Sequence, residues 1–234
     1  MRPTSLTEWM DDPAVDPLQL ASSLAFIRRV NRFLGGTSAI LYHLRRWAYA
    51  WPISRPTTFL DIATGSADIP IALCKWAART RHRVQIFALD NHPTTLGLAA
   101  AHLQSQPSGH PITLVRGDAL ALPFPDASID YATCSMFFHH LPDELIPQAL
   151  AEMIRVARRG IIVNDLLRTP FASLGIHLLT AFASPIDKHD ARLSVQKAWS
   201  RPAVESWATS ANAPWLRYHA HFASRFTLAG EKPR

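Results

Sequence analysis

The chain is poor in several things at once. Of its 234 residues only two are cysteines, Cys74 and Cys134, both inside apolar runs and without the spacing of a metal or redox motif. They read as small core residues of a protein kept reduced, so the expected address is the cytoplasm. No stretch approaches 18 consecutive apolar residues, so no membrane span is expected. The N-terminal stretch with Pro3, Asp11, Asp12 and Asp16 lacks the charged-then-apolar pattern of a signal peptide. Glycine is scarce at nine residues, charged residues are sparse at 18%, and no internal repeat or low-complexity segment is visible. Solenoids, disordered tails and disulfide scaffolds are thereby set aside.

What is present suits one α/β domain with some added helix. The hydrophobic share is 48%, enough for a sizeable core, and the formal charge is +6. Arginine supplies 20 of the 24 basic residues, scattered in pairs such as Arg28-Arg29, Arg45-Arg46 and Arg158-Arg159. The densest patch, Arg79 to Arg83, falls where a helix should end, and cations there complement the helix dipole. Dispersed arginines without interleaved aromatics argue against nucleic acid as a partner.

Residues 1–18 read as a loose acidic arm. Leu20, Leu24, Ile27, Val30 and Leu34 recur at helical spacing up to Gly35-Gly36, and a second helix runs from Thr37, as N-cap, to Trp51. An alternation follows: strand 58–62, helix 67–78, strand 84–89, helix 93–105, strand 112–115, strand 129–134, helix 143–158 and a strand from Gly160. Strands alternating with helices of this length imply βαβ units and a mainly parallel sheet. A helix over 170–183 places Phe171, Leu174, Leu178 and Phe182 at core spacing, or as the wall of an apolar pocket. Ser184–Lys197 is a polar stretch suited to a substrate lid. After a helix near 202–210, residues 215–222 and 225–228 read as an antiparallel hairpin.

The most informative segment is Phe59-Leu60-Asp61-Ile62-Ala63-Thr64-Gly65-Ser66-Ala67-Asp68. A buried strand delivers a carboxylate, then small residues, then a helix start, which is what close backbone approach to a ligand needs. Asp90 ends the second strand, where a carboxylate can accept both hydroxyls of a ribose, with Asn91 beside it. Gly117-Asp118-Ala119 puts a further carboxylate within reach of an adenine amino group. Ala63 and Ala67 are expected at comfortable negative φ, with left-handed geometry reserved for Gly65. A dinucleotide loop prefers glycine there and sets pyrophosphate on the helix N-terminus. Asp68 in that first turn would repel pyrophosphate yet tolerate a sulfonium and an amino group.

The run Leu60–Asp68, then Asp90, then Gly117-Asp118-Ala119 before Leu122-Pro123-Phe124, resembles the class I S-adenosylmethionine-dependent methyltransferases. The likeness continues through Asp130-Tyr131-Ala132, Phe138-His139-His140-Leu141 and the C-terminal hairpin, and is greatest to the small-molecule branch acting on quinones and polyketides. It implies a Rossmann-like seven-stranded mixed sheet with a C-terminal antiparallel hairpin. Residues 1–54 would be an N-terminal arm and helical cap, and 55–234 the methyltransferase domain. It implies S-adenosylmethionine as cofactor, held by Asp61, Ala63, Thr64, Gly65, Asp68, Asp90, Asn91, Asp118, Ala119 and Ser135. The reaction implied is methyl transfer to a hydroxyl, or less readily a carbon, of a small apolar or aromatic metabolite, as in secondary metabolism. An NAD(P)-dependent oxidoreductase on a similar fold and an RNA-modifying methyltransferase are the alternatives.

Methyl transfer from a sulfonium is an in-line displacement, in which the protein aligns the partners and removes a proton from a hydroxyl acceptor. His139 and His140 follow the fourth strand at the ligand edge, and His140 is the favoured base, with both structural as the competing view. Asn164-Asp165 reaches the same edge, Asp165 either orienting a histidine or capping the next helix. His189-Asp190 is a pair that lies further from the chemistry or a local loop contact. His219 and His221 share a strand face compatible with a metal, but no third ligand is suggested and none is expected. Trp9, Trp47 and Trp51 could close the site from above.

Overall fold

The computed structural model describes residues 6–107 and 109–233, so residues 1–5 of the arm, Pro3 among them, lie outside the described residues. The chain opens with two helices, α1 (Pro17–Phe33) and α2 (Gly36–Trp47). The alternation then runs β1 (Thr57–Ile62), α3 (Asp68–Arg79), β2 (Val84–Asp90), α4 (Pro93–Gln104), β3 (Ile112–Arg116), β4 (Ile129–Ser135), α5 (Ile146–Val156) and β5 (Ala157–Leu166). Three helices follow, α6 (Pro170–Leu179), α7 (Pro185–Lys197) and α8 (Arg201–Ser210), and then the hairpin β6 (Arg217–His221) and β7 (Arg225–Glu231).

The strands form one sheet in the order β3-β2-β1-β4-β5-β7-β6. Only β7 runs against its neighbours, pairing antiparallel with both β5 and β6. β1 and β4 are buried along almost their whole length, so they lack polar alternation and sit at the sheet centre. Their side chains feed two cores. Leu60, Ile62, Ala132 and Cys134 meet Leu150 and Met153 of α5 on one face. Phe59 and Tyr131 meet Ile40, Leu44 and Trp51 on the other. Cys74 and Cys134 are both free and buried. At the strand starts, buried Asp130 accepts from Arg55, Arg158 and Thr58 N, which outweighs the cost of its burial and holds its carboxyl well below the usual range. Chain order reverses between β1 and β4, and the crevice at their carboxyl ends is where such sheets take ligands.

Several expectations need correction. Gly35, at φ 89°, serves as the N-cap of α2 in place of Thr37, and α2 stops at Trp47 before a short 3-10 turn, Ala48–Ala50. Helix α5 ends at Val156, because Ala157 and Arg158 already belong to β5. The polar stretch 184–197 is largely a helix, α7, with Ser184 accepting from Asp187 N. Its buried residues are mostly polar, Asp187, Asp190, Ser194 and Lys197 beside Ile186, Leu193 and Val195, so apolar periodicity is too weak to reveal it. Two of them hold the arm. Asp190 accepts from Trp9 N and Met10 N at 2.8 and 3.0 Å, and Ser194 donates to Glu8. Residues 6–16 therefore form a strap pinned across the strand ends, and Asp16 caps α1.

The helix expected over 170–183 ends at Leu179, and neither it nor the residues after it that were placed on its apolar face are core. Phe171 is 83% and Phe182 103% exposed, and Leu174 and Leu178 also face solvent. The opposite face, with Ala172, Gly175 and Ile176, roofs a cavity. Trp47 and Trp51 do not close that cavity either, since they pack against Tyr131 within the sheet. Trp9 stacks on His189 with ring centroids 4.0 Å apart.

Candidate functional site

The crevice opens into a cavity of about 950 Å³, bounded by the strand ends, the loop after β1, helix α1, the strap and α6. All ten of the expected cofactor residues, Asp61, Ala63, Thr64, Gly65, Asp68, Asp90, Asn91, Asp118, Ala119 and Ser135, line it. Asp61 is buried and accepts from Thr64 Oγ1 at 2.7 Å and Thr133 Oγ1 at 3.0 Å, which fixes the start of the loop. Asp90 accepts from Gly65 N through Oδ2 and His92 N through Oδ1, both at 3.0 Å. A carboxylate oxygen can accept more than one hydrogen bond, and Asp90 lines the cavity. His102 contacts Ser66 O at 2.7 Å and braces the loop from below. Asp118 accepts from Leu120 N, and Ser135 Oγ accepts from Asn164.

The loop departs from expectation in its backbone. Ala63 and Ala67 adopt φ 53° and 57°, in the same left-handed region as Gly65 at 55°. The turn therefore keeps the shape of a three-glycine loop although two positions carry a Cβ. Its charge is the second feature. Burial and the proximity of Asp68 and Asp90 push the Asp61 carboxyl up to about 7, despite the bonds from Thr64 and Thr133. Burial also raises Asp68 and Asp90. This corner is short of positive charge.

A second polar cluster also lines the cavity. His139 is fully buried in a 3-10 turn, Phe138–His140, its Nδ1 2.7 Å from Asp165 Oδ1 and its Nε2 3.5 Å from Glu8 Oε1. Asp165 also accepts from His139 N and Leu166 N, so it orients the histidine and caps no helix; Thr169 caps α6. His140 is partly exposed, its Nδ1 2.7 Å from Asp11 Oδ2 and its Nε2 3.8 Å from Glu8 Oε2. Burial alone would depress both imidazoles, but Asp165 and Glu8 push His139 up to about 10, and Glu8 with Asp11 raises His140. Against its own burial, Glu8 is drawn down to about 2 by the two histidines. The ligand atoms of Glu8, His139 and His140 converge within 4.8 Å of one another.

Residues 59–160 match the family model described as a methyltransferase domain. Over that span, just under half of its length, the chain is similar to methyltransferases. It is 39% identical over 105 residues to a demethylmenaquinone methyltransferase of Deinococcus radiodurans, covering 45% of this chain and 40% of the relative. It is 32% identical over 117 residues to a 2-phytyl-1,4-naphtoquinone methyltransferase of Synechococcus elongatus, covering 50% and 48%. The chain thus spans about half the length of the curated relatives it matches. Two solved structures share the fold at low identity. PigF with SAH aligns at TM-score 0.66 and 18% identity over 96% of this chain and 62% of that one. A SAM-dependent methyltransferase of Aquifex aeolicus aligns at 0.63 and 15% over 93% and 98%.

Against this methyltransferase frame, the sequence missed Glu8, Asp11 and Arg225. Glu8 and Asp11 sit in an acidic segment with no periodicity, and only the fold carries them to the histidines. Arg225 is one arginine among 20, yet it is buried on the cavity wall and donates to Leu34 O and Asn31 Oδ1. Asn31 in turn donates to Asp68. His189 and Asp190 belong to the strap latch. His219 and His221 pack around His43 of α2, where His43 and His221 both reach Thr227 Oγ1, at 2.7 and 2.8 Å.

Proposed function

We propose that this protein transfers a methyl group from S-adenosylmethionine to a hydroxyl, or less readily a carbon, of a small apolar or aromatic acceptor. The observation that carries the reading is the corner formed by Asp61, Asp68 and Asp90 around the Gly65 turn. Three carboxylates with raised proton affinity repel a pyrophosphate and welcome a cation, which disfavours the nicotinamide alternative. When bound, the cofactor supplies an electrophilic methyl on a sulfonium. Asp90 would accept from the ribose hydroxyls, Asp118 and Ala119 would face the adenine edge, and Asn91 and Ser135 would complete the wall. Arg225 is the cation placed to hold the amino-acid carboxylate, across the Asn31–Asp68 link.

A cavity of this volume lies at the upper end of the range for ligand pockets and leaves room for an acceptor beside the cofactor. Its lining includes Phe26, Ile27, Phe137, Leu141 and Ile176, which suits a flat apolar ring. The named relatives act on quinones by their descriptions, and an acceptor of that shape fits this wall. The acceptor oxygen would meet the polar cluster at His140, the more exposed of the two histidines, with His139 and Asp165 as positioning residues. Residues 55–234 form the catalytic domain in this reading, and 1–54 close it. Two buried free thiols fit a cytoplasmic setting, and no helix among the described residues is long and apolar enough to cross a membrane.

The test is calorimetric. Wild-type protein should bind S-adenosylmethionine, and Asp90→Ala should weaken binding by about 1.5–3 kcal/mol, the scale of lost charge-assisted hydrogen bonds. Unchanged affinity in the variant removes the ribose from Asp90, and binding of a nicotinamide cofactor in its place overturns the methyl-donor reading.

A further inference from the structure

We propose that Glu8, His139 and His140 form a divalent metal site of the zinc class, with an open position facing the acceptor pocket. This deepens the methyl-transfer reading, on which its catalytic part rests. The cluster has the parts such a site requires. Both imidazoles present Nδ1 to a carboxylate at 2.7 Å, Asp165 for one and Asp11 for the other. An Nδ1–H donated to a carboxylate leaves the lone pair on Nε2, the arrangement that orients metal-binding histidines elsewhere.

Both Nε2 atoms then turn to the same carboxylate, one to each oxygen of Glu8, at 3.5 and 3.8 Å. These separations are about 1 Å longer than the same rings' contacts to their aspartates. Two ligands held about 2.0–2.1 Å from one ion at angles between tetrahedral and trigonal lie about 3.3–3.6 Å apart. The 3.5 Å separation falls in that range, the 3.8 Å separation lies about 0.2 Å beyond it, and all three ligand atoms lie within 4.8 Å of one another. Two histidines and a glutamate are also a recurrent ligand set of catalytic zinc, which keeps its fourth position for water or substrate. Here all three residues line the cavity, so that position opens to the acceptor.

Charge points the same way. Three carboxylates, Glu8, Asp11 and Asp165, surround the two imidazoles in a largely buried cluster, and once the imidazoles are neutral ligands a divalent cation offsets most of that negative charge. The strap explains how the site is assembled: Glu8 is delivered from 131 residues away in sequence, and Ser194 and Asp190 of α7 hold it in place.

The chemistry follows from the open position. An acceptor hydroxyl that replaces the bound water becomes more acidic and releases its proton to solvent. Its oxygen then attacks the methyl carbon, the new C–O bond forms, and the C–S bond breaks with its electron pair returning to sulfur. No electron is exchanged with the metal, and His140 acts as a ligand in place of a free base.

The full chain, stripped with chelator and dialysed, is titrated with Zn²⁺ by calorimetry and with Co²⁺ by visible absorption. One ion per chain is expected, with Co²⁺ bands of four- or five-coordinate N/O ligation. Glu8→Gln and His140→Gln should each weaken Zn²⁺ binding at least tenfold, whereas His219→Ala should leave it within twofold. Thermal unfolding in chelator confirms that the variants are folded. Failure of folded wild-type protein to bind stoichiometric metal overturns the site, as does binding indifferent to Glu8→Gln or abolished by His219→Ala. The stripped protein is titrated separately with S-adenosylmethionine. Cofactor binding without metal binding sinks the metal site alone, and metal binding without cofactor binding supports the site while sinking the methyl-transfer reading.

Discussion

At Ala63 and Ala67 the backbone takes left-handed values that L residues with a Cβ pay about 1–2 kcal/mol to hold. Both sit in the turn that brings the loop beside Asp90, so the strain lies where the ligand is expected. Residue identity alone could not show this. Alanine at these positions suggested negative φ, and the surrounding bonds, Thr64 N to Leu89 O and Ala67 N to Thr64 O, override the local preference. Replacing Ala63 with glycine removes the Cβ penalty but adds unfolded-state entropy of about 0.4–1 kcal/mol. Ala63→Gly should therefore stabilise the protein by about 0.5–1 kcal/mol in urea unfolding. A destabilisation of that size would show that the turn is unstrained or that the methyl packs.

The strap and α7 make the element-scale case. Neither was legible as structure, because much of what holds them is polar. Ser23 donates to Asp187 at 2.8 Å, Ser194 to Glu8 at 2.8 Å, and Asp190 takes two backbone amides of the strap. Hydrophobic periodicity reports burial only where burial is apolar. The signal that could have found α7 was Ser184 with Asp187 three residues on, a variant of the capping box. Because Asp190 holds two orphan amides, Asp190→Ala should release the strap locally at a cost of about 1–3 kcal/mol. Hydrogen exchange at Trp9 and Met10 should then accelerate about tenfold or more while α3 and the central strands stay protected. Unchanged exchange at those two amides would mean that the strap is held by other contacts.

Across the whole molecule, α2 is tied to the C-terminal hairpin through His43. Burial, then His219, His221 and Arg46, push its pKa down to about 3. The unfolded chain takes a proton at this histidine near pH 6.5. Stability from keeping His43 neutral is therefore complete above about pH 6.5 and is lost as pH falls towards 3, by up to about 1.4 kcal/mol per unit. Asp61, raised to about 7, contributes with opposite sign over the same range, so the effect must be read as a difference. The gap in stability between wild type and His43→Gln should shrink or reverse in favour of the variant as pH drops from 7 to 5. Parallel pH curves for the two proteins would remove His43 from the acid response.

What the sequence determined by itself was everything governed by short-range pattern. The alternation of strands and helices, the carboxylates at the ends of β1 and β2, and His139-His140 past β4 were readable because chain order and apolar spacing decide them. Tertiary structure alone decided the rest. Glu8 reaches the histidines across 131 residues, Arg225 comes to the cavity wall through the β5–β7 pairing, and α6 turns its apolar outer face to solvent. These depend on which surfaces meet, and a polar surface meeting a polar surface leaves no hydrophobic trace in the order of the residues.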